Sequence, residues 1–317
     1  MQPNVDNLSV GGGSSRPEAI KAIPIRHWGR WIAAAVIIFL AFLLAYSFVR
    51  NPHVEWPVIG HYLFSDLVLR GVVVTLELTF ISMAIGAIGG TLLAVMRLSK
   101  NYILSSVSWF YIWFFRGAPV YVQILLWANI AILYPRFFLG LPFVGVVFVS
   151  VDANTLIGVF VASLLALGLN EAAYAAELVR AGIISVEKGQ AEAAESLGMS
   201  PGLTMRRIIL PQAMRVIIPP MGNETISMLK TTALVAVISA HELMSNITIS
   251  YSQNFKIFPL LLVACIWYIF FTTVLTIGQH YLEAYFGRGF GDKEAAAAEK
   301  RAMKRLQRRT GVDPGVF

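Results

Sequence analysis

Six stretches of this sequence are long and apolar enough to cross a bilayer, and they leave few alternatives for the fold. A span needs about 20 apolar residues, and the runs at 31–49, 71–96, 104–134, 155–178, 216–240 and 257–283 are candidates. In hydrocarbon, every backbone N–H and C=O has to be satisfied inside its own segment, so runs of this kind become helices. The class expected is therefore an all-α integral membrane protein with about six transmembrane helices. Composition agrees: 14% of the residues are charged and 57% hydrophobic, against roughly 25% charged in soluble domains.

The run 104–134 is too long for one simple span. Its first part, "ILSSVSWFYIWFF" (103–115), is expected at the interface before the chain enters the bilayer. The stretch 137–151 is apolar but broken by Gly140, Pro142 and Gly145, and reads as an interfacial or re-entrant loop. Residues 1–30 are polar and contain "GGGSS". They read as a disordered tail ahead of an anchor helix at 31–49, not as a cleavable signal, since no small-residue cleavage site follows the apolar run. The single cysteine, Cys265, lies in an apolar run, which excludes a disulfide framework and suggests packing.

Lys and Arg set the orientation. With both termini in the cytoplasm, that side holds nineteen of the 25 basic residues, eight of them after residue 284. The far side holds Arg50, Arg70, Arg136 and Lys256. The net charge of +7 is thus a topology signal, not a nucleic-acid footprint. The basic tail 287–317, with its Ala-rich stretch 292–310, is expected to favour helix near anionic headgroups.

Between the fourth and fifth runs lies a polar loop, 186–211, ending in "EAAESLGMSPGLTMRRIILP" (192–211). Gly198 suits the left-handed position that ends a helix, Ser200 an N-cap, and Pro201 the first turn of a second short helix. Pro211 is expected to break that helix from the next span. Ala193 and Ala194 leave room for a close approach, and Glu192 adds a charge at the same edge. An ordinary amphipathic loop and a docking site for a soluble partner both remain open on geometry alone.

A resemblance separates them. Glu192-Ala193-Ala194, Gly198, Ile208, Leu210 and Pro211 stand at the spacing of the EAA loop of ATP-binding-cassette importer permeases. The blocks 75–99, 115–127, 170–190 and 210–235 resemble the polar-amino-acid branch of that family in the same order. The resemblance covers roughly 66–286. It implies a five-helix type I importer core, with the helix at 31–49 as an extra N-terminal element. It also implies a second permease chain, two ATPase subunits docked on the EAA loop, and a solute-binding protein outside. The sequence has no G-x-x-x-x-G-K-[ST] phosphate loop and no H-E-x-x-H zinc motif, so no cofactor is expected on this chain. ATP and Mg²⁺ would sit in the partner subunits of a bacterial plasma-membrane complex. A proton- or cation-coupled carrier using Glu77 and Glu224 is the competing class, and it leaves the EAA loop without a purpose. A membrane anchor that only recruits a partner is a third, and it leaves the intramembrane Glu and Asn without one.

Ionisable residues within spans cost about 2.5–3.5 kcal/mol at mid-helix and point to function. The candidates are Glu77, Glu171, Glu177, Glu224 and Lys230. Asn223 and Glu224 follow Pro219, Pro220 and Gly222, which weaken the helix; the pair is placed to receive an amino acid's carboxylate and ammonium. The six-residue spacing of Glu224 and Lys230 makes a direct same-helix pair poor. Glu171, Glu177 and Lys230, together with Arg116 and Gly117 in the "RGAP" helix break, read as gating or structural, and Glu77 joins Asn223 and Glu224 on the substrate pathway. Gly86 and Gly90 form a small-xxx-small packing face.

Overall fold

The computed structural model of the chain describes residues 28–141 and 146–286; the expectations for the N-terminal tail and for 287–317 fall outside them. The chain divides into two compact units at Val54/Glu55. The first contains α1 (Trp28–Val49), 22 residues with none buried, which fits a helix whose surroundings are lipid. The second contains everything from Glu55 on.

That second unit starts with α2 (Trp56–Leu63) and α3 (Asp66–Leu98). At 33 residues, α3 is about 50 Å long, more than the roughly 30 Å hydrocarbon thickness. Next come α4 (Tyr102–Gly117) and α5 (Val120–Ala128), with a break at Ala118–Pro119. Pro119 has no N–H and disfavours the helical region for its predecessor, and Ala118 is extended at φ −95°, ψ 135°. The expected third span is therefore two short helices. Among the described residues, four helices are by themselves long and apolar enough to cross a membrane, or five spans if Pro201–Ile238 and Leu243–Asn254, bent by 45°, make one; the broken pair α4 and α5 is outside that set.

After the four-residue α6 (Ile130–Leu133) comes a departure from the all-α expectation. The stretch read as a loop forms an antiparallel hairpin, β1 (Arg136–Leu141) and β2 (Val146–Asp152). Arg136 faces Asp152 at its base, and a register shift falls between Leu139 and Gly140. Phe137, Phe138 and the valines of β2 are good strand formers. The glycine that looked like a breaker marks the irregularity.

Then follow α7 (Ala153–Leu156), α8 (Val159–Ile184), α9 (Lys188–Ser196) and α10 (Pro201–Thr204). A π-helical turn, Met205–Ile209, joins α10 to α11 (Leu210–Thr231) without a break. Pro211 was expected to separate these segments. The wider i→i+5 turn gives room where the pyrrolidine ring would meet the preceding turn, so the helix runs on. It continues as a 3₁₀ helix, Thr232–Ile238, then breaks before α12 (Leu243–Asn254) and α13 (Ile257–Phe286).

The most extensive packing is α3 against α8, and small residues make it possible. A Cβ on Gly86 would overlap the Glu171 side chain, and one on Gly90 would lie 2.8 Å from the Ala176 backbone nitrogen. The apolar core around this seam includes Leu78, Ile124, Leu167, Met228 and Val235. Farther along, a Cβ on Gly182 of α8 would overlap Ile217 of α11. Gln279 of α13 donates to the Pro219 carbonyl at 2.7 Å, tying α13 to the proline-bearing turn. Cys265, read as a packing residue, is exposed on α13, on a helix that buries only a narrow stripe.

Candidate functional site

The helix break between α4 and α5 is held open by side chains. Gln123, 3% exposed, donates its Nε2 to the carbonyls of Phe115 (3.0 Å) and Ala118 (2.9 Å). Asn170 of α8 donates to the same Phe115 carbonyl at 2.8 Å. The Tyr111 hydroxyl donates to Leu169 O at 2.9 Å. The bonds to Phe115 and Ala118 satisfy backbone oxygens left without a helical donor at the Pro119 break, and those from Asn170 and to Leu169 fix the break against α8.

A cavity of about 410 Å³ opens at this junction, within the ~300–1,000 Å³ range of small-molecule sites. The break contributes Arg116 and Gly117, α8 contributes Asn170, Glu171 and Tyr174, and α11 contributes Glu224 and Ser227. The Arg116 guanidinium lies over the Tyr174 ring at 5.1 Å, a cation–π arrangement that orients it. Glu171 is 4% exposed and its Oε1 has no hydrogen-bond partner among the described residues. Gly86 supplies the space it occupies. Glu224 is half-buried on the α11 wall. Arg116, Glu171 and Glu224 take part in none of the ion pairs found among the described residues. Two carboxyl groups and one guanidinium thus share one chamber with no ion pair between them.

The remaining sequence candidates separate from this group. Asn223 and Lys230 are exposed on α11 and Glu77 is exposed on α3; none lines the cavity. Glu177 pairs with Arg180 at 2.6 Å. Sequence reasoning passed over Gln123 and Asn170, although a lone amide in the apolar run 120–128 is a usable signal. It also passed over Glu242, which is fully buried. This carboxylate accepts from the backbone N–H groups of Met244 (2.7 Å) and Ser245 (2.6 Å) and from the Tyr268 hydroxyl (3.2 Å). Its sequence carried no cap signal, since Glu is not among the preferred N-cap residues.

The polar loop has the local geometry its residues demand. Gly198 adopts φ +77° and ends α9; Ser200 is extended at the N-cap ahead of Pro201. Glu192, Ala193 and Gly198 are exposed, whereas Ala194 is turned inward at 4% exposure. Leu197 stands 83% exposed beside Gly198. Ile208 is half-buried, and Leu210 and Pro211 are exposed on the continuous helix.

Comparison with known proteins places this geometry. Residues 85–287 match the family described as binding-protein-dependent transport system inner membrane component. The arginine transport system permease protein ArgU of Corynebacterium glutamicum is 44% identical over 286 residues, covering 89% of this chain and 88% of its own length. The probable amino-acid ABC transporter permease protein YckA of Bacillus subtilis is 35% identical, covering 68% and 87%. Among solved structures, an amino acid ABC transporter crystallised with histidines is 34% identical with a TM-score of 0.59, over 70% of this chain and 95% of that one. The methionine transporter MetNI in an inward-facing form shares the fold, at 17% identity and a TM-score of 0.51.

Proposed function

The chain belongs to the binding-protein-dependent transport inner membrane family and is a permease subunit of an amino acid ABC importer; we propose that the amino acid it carries is cationic. ATP hydrolysis belongs to partner subunits. The observation that carries the proposal is the charge set of the cavity: Arg116, Glu171 and Glu224. An amino acid's zwitterionic head needs one cation and one anion. Arg116 takes the α-carboxylate, as guanidinium forks do, and Glu224 takes the α-ammonium. Glu171 is then surplus for a neutral substrate and matches a positive side chain. The named substrate of ArgU points the same way. Asn223 and Glu77, outside the cavity, are assigned to the route towards it.

At the cytoplasmic end, the edge made by Glu192, Ala193, Leu197 and Gly198 docks an ATPase subunit, with Ala194, Ile208, Leu210 and Pro211 shaping the loop behind it. ATP and Mg²⁺ are held in those subunits and no cofactor on this chain. A solute-binding protein delivers substrate at the opposite end, and a second permease chain, identical or sister, completes the pore. Both termini face the cytoplasm. Nucleotide binding shifts the permease between inward- and outward-facing forms by binding one form more tightly. The test is uptake of radiolabelled arginine into proteoliposomes that hold the permease with its co-purified ATPase, supplied with the solute-binding protein. ATP-dependent uptake, competed by lysine more than by glutamine, is expected. Uptake driven by an ion gradient without ATP, or competed best by glutamine, would overturn the assignment.

A further inference from the structure

We propose that Thr232–His241 is the pivot through which movement of α11 reaches the far end of the cavity, and that Glu242 is the positioning residue that holds α12 still. This rests on the import reading above, since it presumes a two-state cycle. The helix that begins at the polar loop passes directly into the cavity wall, where α11 contributes Glu224, Ser227 and Thr231. At the next residue the winding changes. Thr232–Ile238 is a 3₁₀ helix of seven residues at the end of α11, whereas such runs seldom exceed three or four. With three residues per turn, Thr232, Val235 and Ile238 fall in one row. Thr232 and Val235 are fully buried, and Ile238 packs on the same core cluster. The segment is therefore seated along one row, while Leu234 and Val237 are exposed. Beyond it, Ser239 and His241 both stand at φ 55°, the left-handed region that residues with side chains avoid and that persists where structure demands it.

On the other side of the joint, α12 is fastened to α3 and α13. Glu242 caps its first turn and accepts from Tyr268 of α13. Thr75 of α3 accepts from the Leu243 N–H at 3.1 Å. Asn246 donates to Leu67 O at 2.9 Å, and a Cβ on Gly71 would stand 2.9 Å from Leu243 Cα. A fixed helix and a mobile one thus meet at a segment with its own stored choice of winding. Seven residues measure about 14 Å as 3₁₀ helix and about 10.5 Å as α-helix. Rewinding shortens the segment by about 3.5 Å and turns its buried row, and the two left-handed residues absorb the mismatch.

The experiment is hydrogen–deuterium exchange on the complete complex in lipid nanodiscs, nucleotide-free against ATP plus vanadate. Amides of 232–241 are expected to change exchange rate by about tenfold or more between the two states, with those of 243–250 unchanged. If 232–241 stays constant while the loop 192–204 responds to nucleotide, the pivot is overturned and the import reading stands. If the loop also fails to respond, the import reading falls and the pivot with it. In Glu242→Ala the change is expected to spread into 243–250 and uptake to fall with the ATPase still docked. In Glu242→Gln, which keeps one accepting oxygen, it is expected to stay confined. A confined change with full uptake in Glu242→Ala would refute the positioning role.

Discussion

Replacing Glu171 by Gln removes the carboxyl group from the α8 wall of the cavity, and with it the negative charge that a bound cation would hold there, and little else. The amide has the carboxylate's shape, so the room left by Gly86 stays filled, and at 4% exposure bulk water does not take over the missing role. A hydrogen bond to a charged group contributes about 1.5–3 kcal/mol, which is roughly a 12- to 150-fold change in affinity. Arginine and citrulline share length and head groups and differ in guanidinium against neutral urea. If Glu171 reads the side chain, the substitution raises the Kd for arginine by about that factor and moves citrulline by less than about threefold. The assay is titration calorimetry on the solubilised permease complex without its binding protein, which would otherwise impose its own selection. A thermal melt of the variant checks that the new buried amide leaves the fold intact. Equal losses for both ligands, or none for arginine, would refute the assignment of Glu171 to the side-chain cation.

Gly198→Asp places a Cβ at φ +77°, a strain of up to about 1–2 kcal/mol, and a new charge beside Leu197. The ATPase subunit is expected to be lost on purification while membrane insertion is normal, and Glu192→Lys should act alike; wild-type co-purification of either would count against docking at this edge. Gln123→Leu leaves the Ala118 carbonyl without its donor, at about 1–3 kcal/mol. A lower melting temperature and weaker arginine binding are expected as the segment carrying Arg116 loosens, and undiminished binding would show that the break does not depend on this bond.

Helices whose one face meets lipid were legible from apolar length alone. The runs 71–96, 155–178 and 257–283 became α3, α8 and α13 with ends shifted by a few residues. The break at Pro119 was legible too, because proline acts on its own neighbours. The break at Ser239–His241 was not: it contains neither Gly nor Pro, and it exists because Glu242, Thr75 and Tyr268 cap and hold the helix that follows. Continuity through Pro211 was hidden for the opposite reason, since a local stop signal is absorbed by a π turn. The hairpin escaped because both its faces are apolar, which erases the period-two alternation that identifies a strand. Glu171, Glu224 and Arg116 were each noticeable as charges in grease. Their convergence depends on α4, α8 and α11 packing across more than fifty residues of sequence, and no local pattern reports that.

That hairpin carries a consequence for depth. A sheet of two strands leaves an outer row of peptide groups on each strand, and hydrocarbon offers such groups no partners. Its side chains pull the other way, with Phe138, Val147, Phe148 and Val149 all exposed and no charge anywhere from 137 to 151. Only the headgroup zone meets both demands, wet enough for the peptide edges and greasy enough for the phenylalanines. A hairpin seated there would serve as a gauge at the waterline. Because Val159 opens α8 seven residues after Asp152 closes β2, its level would fix where the helix bearing Glu171 enters the bilayer.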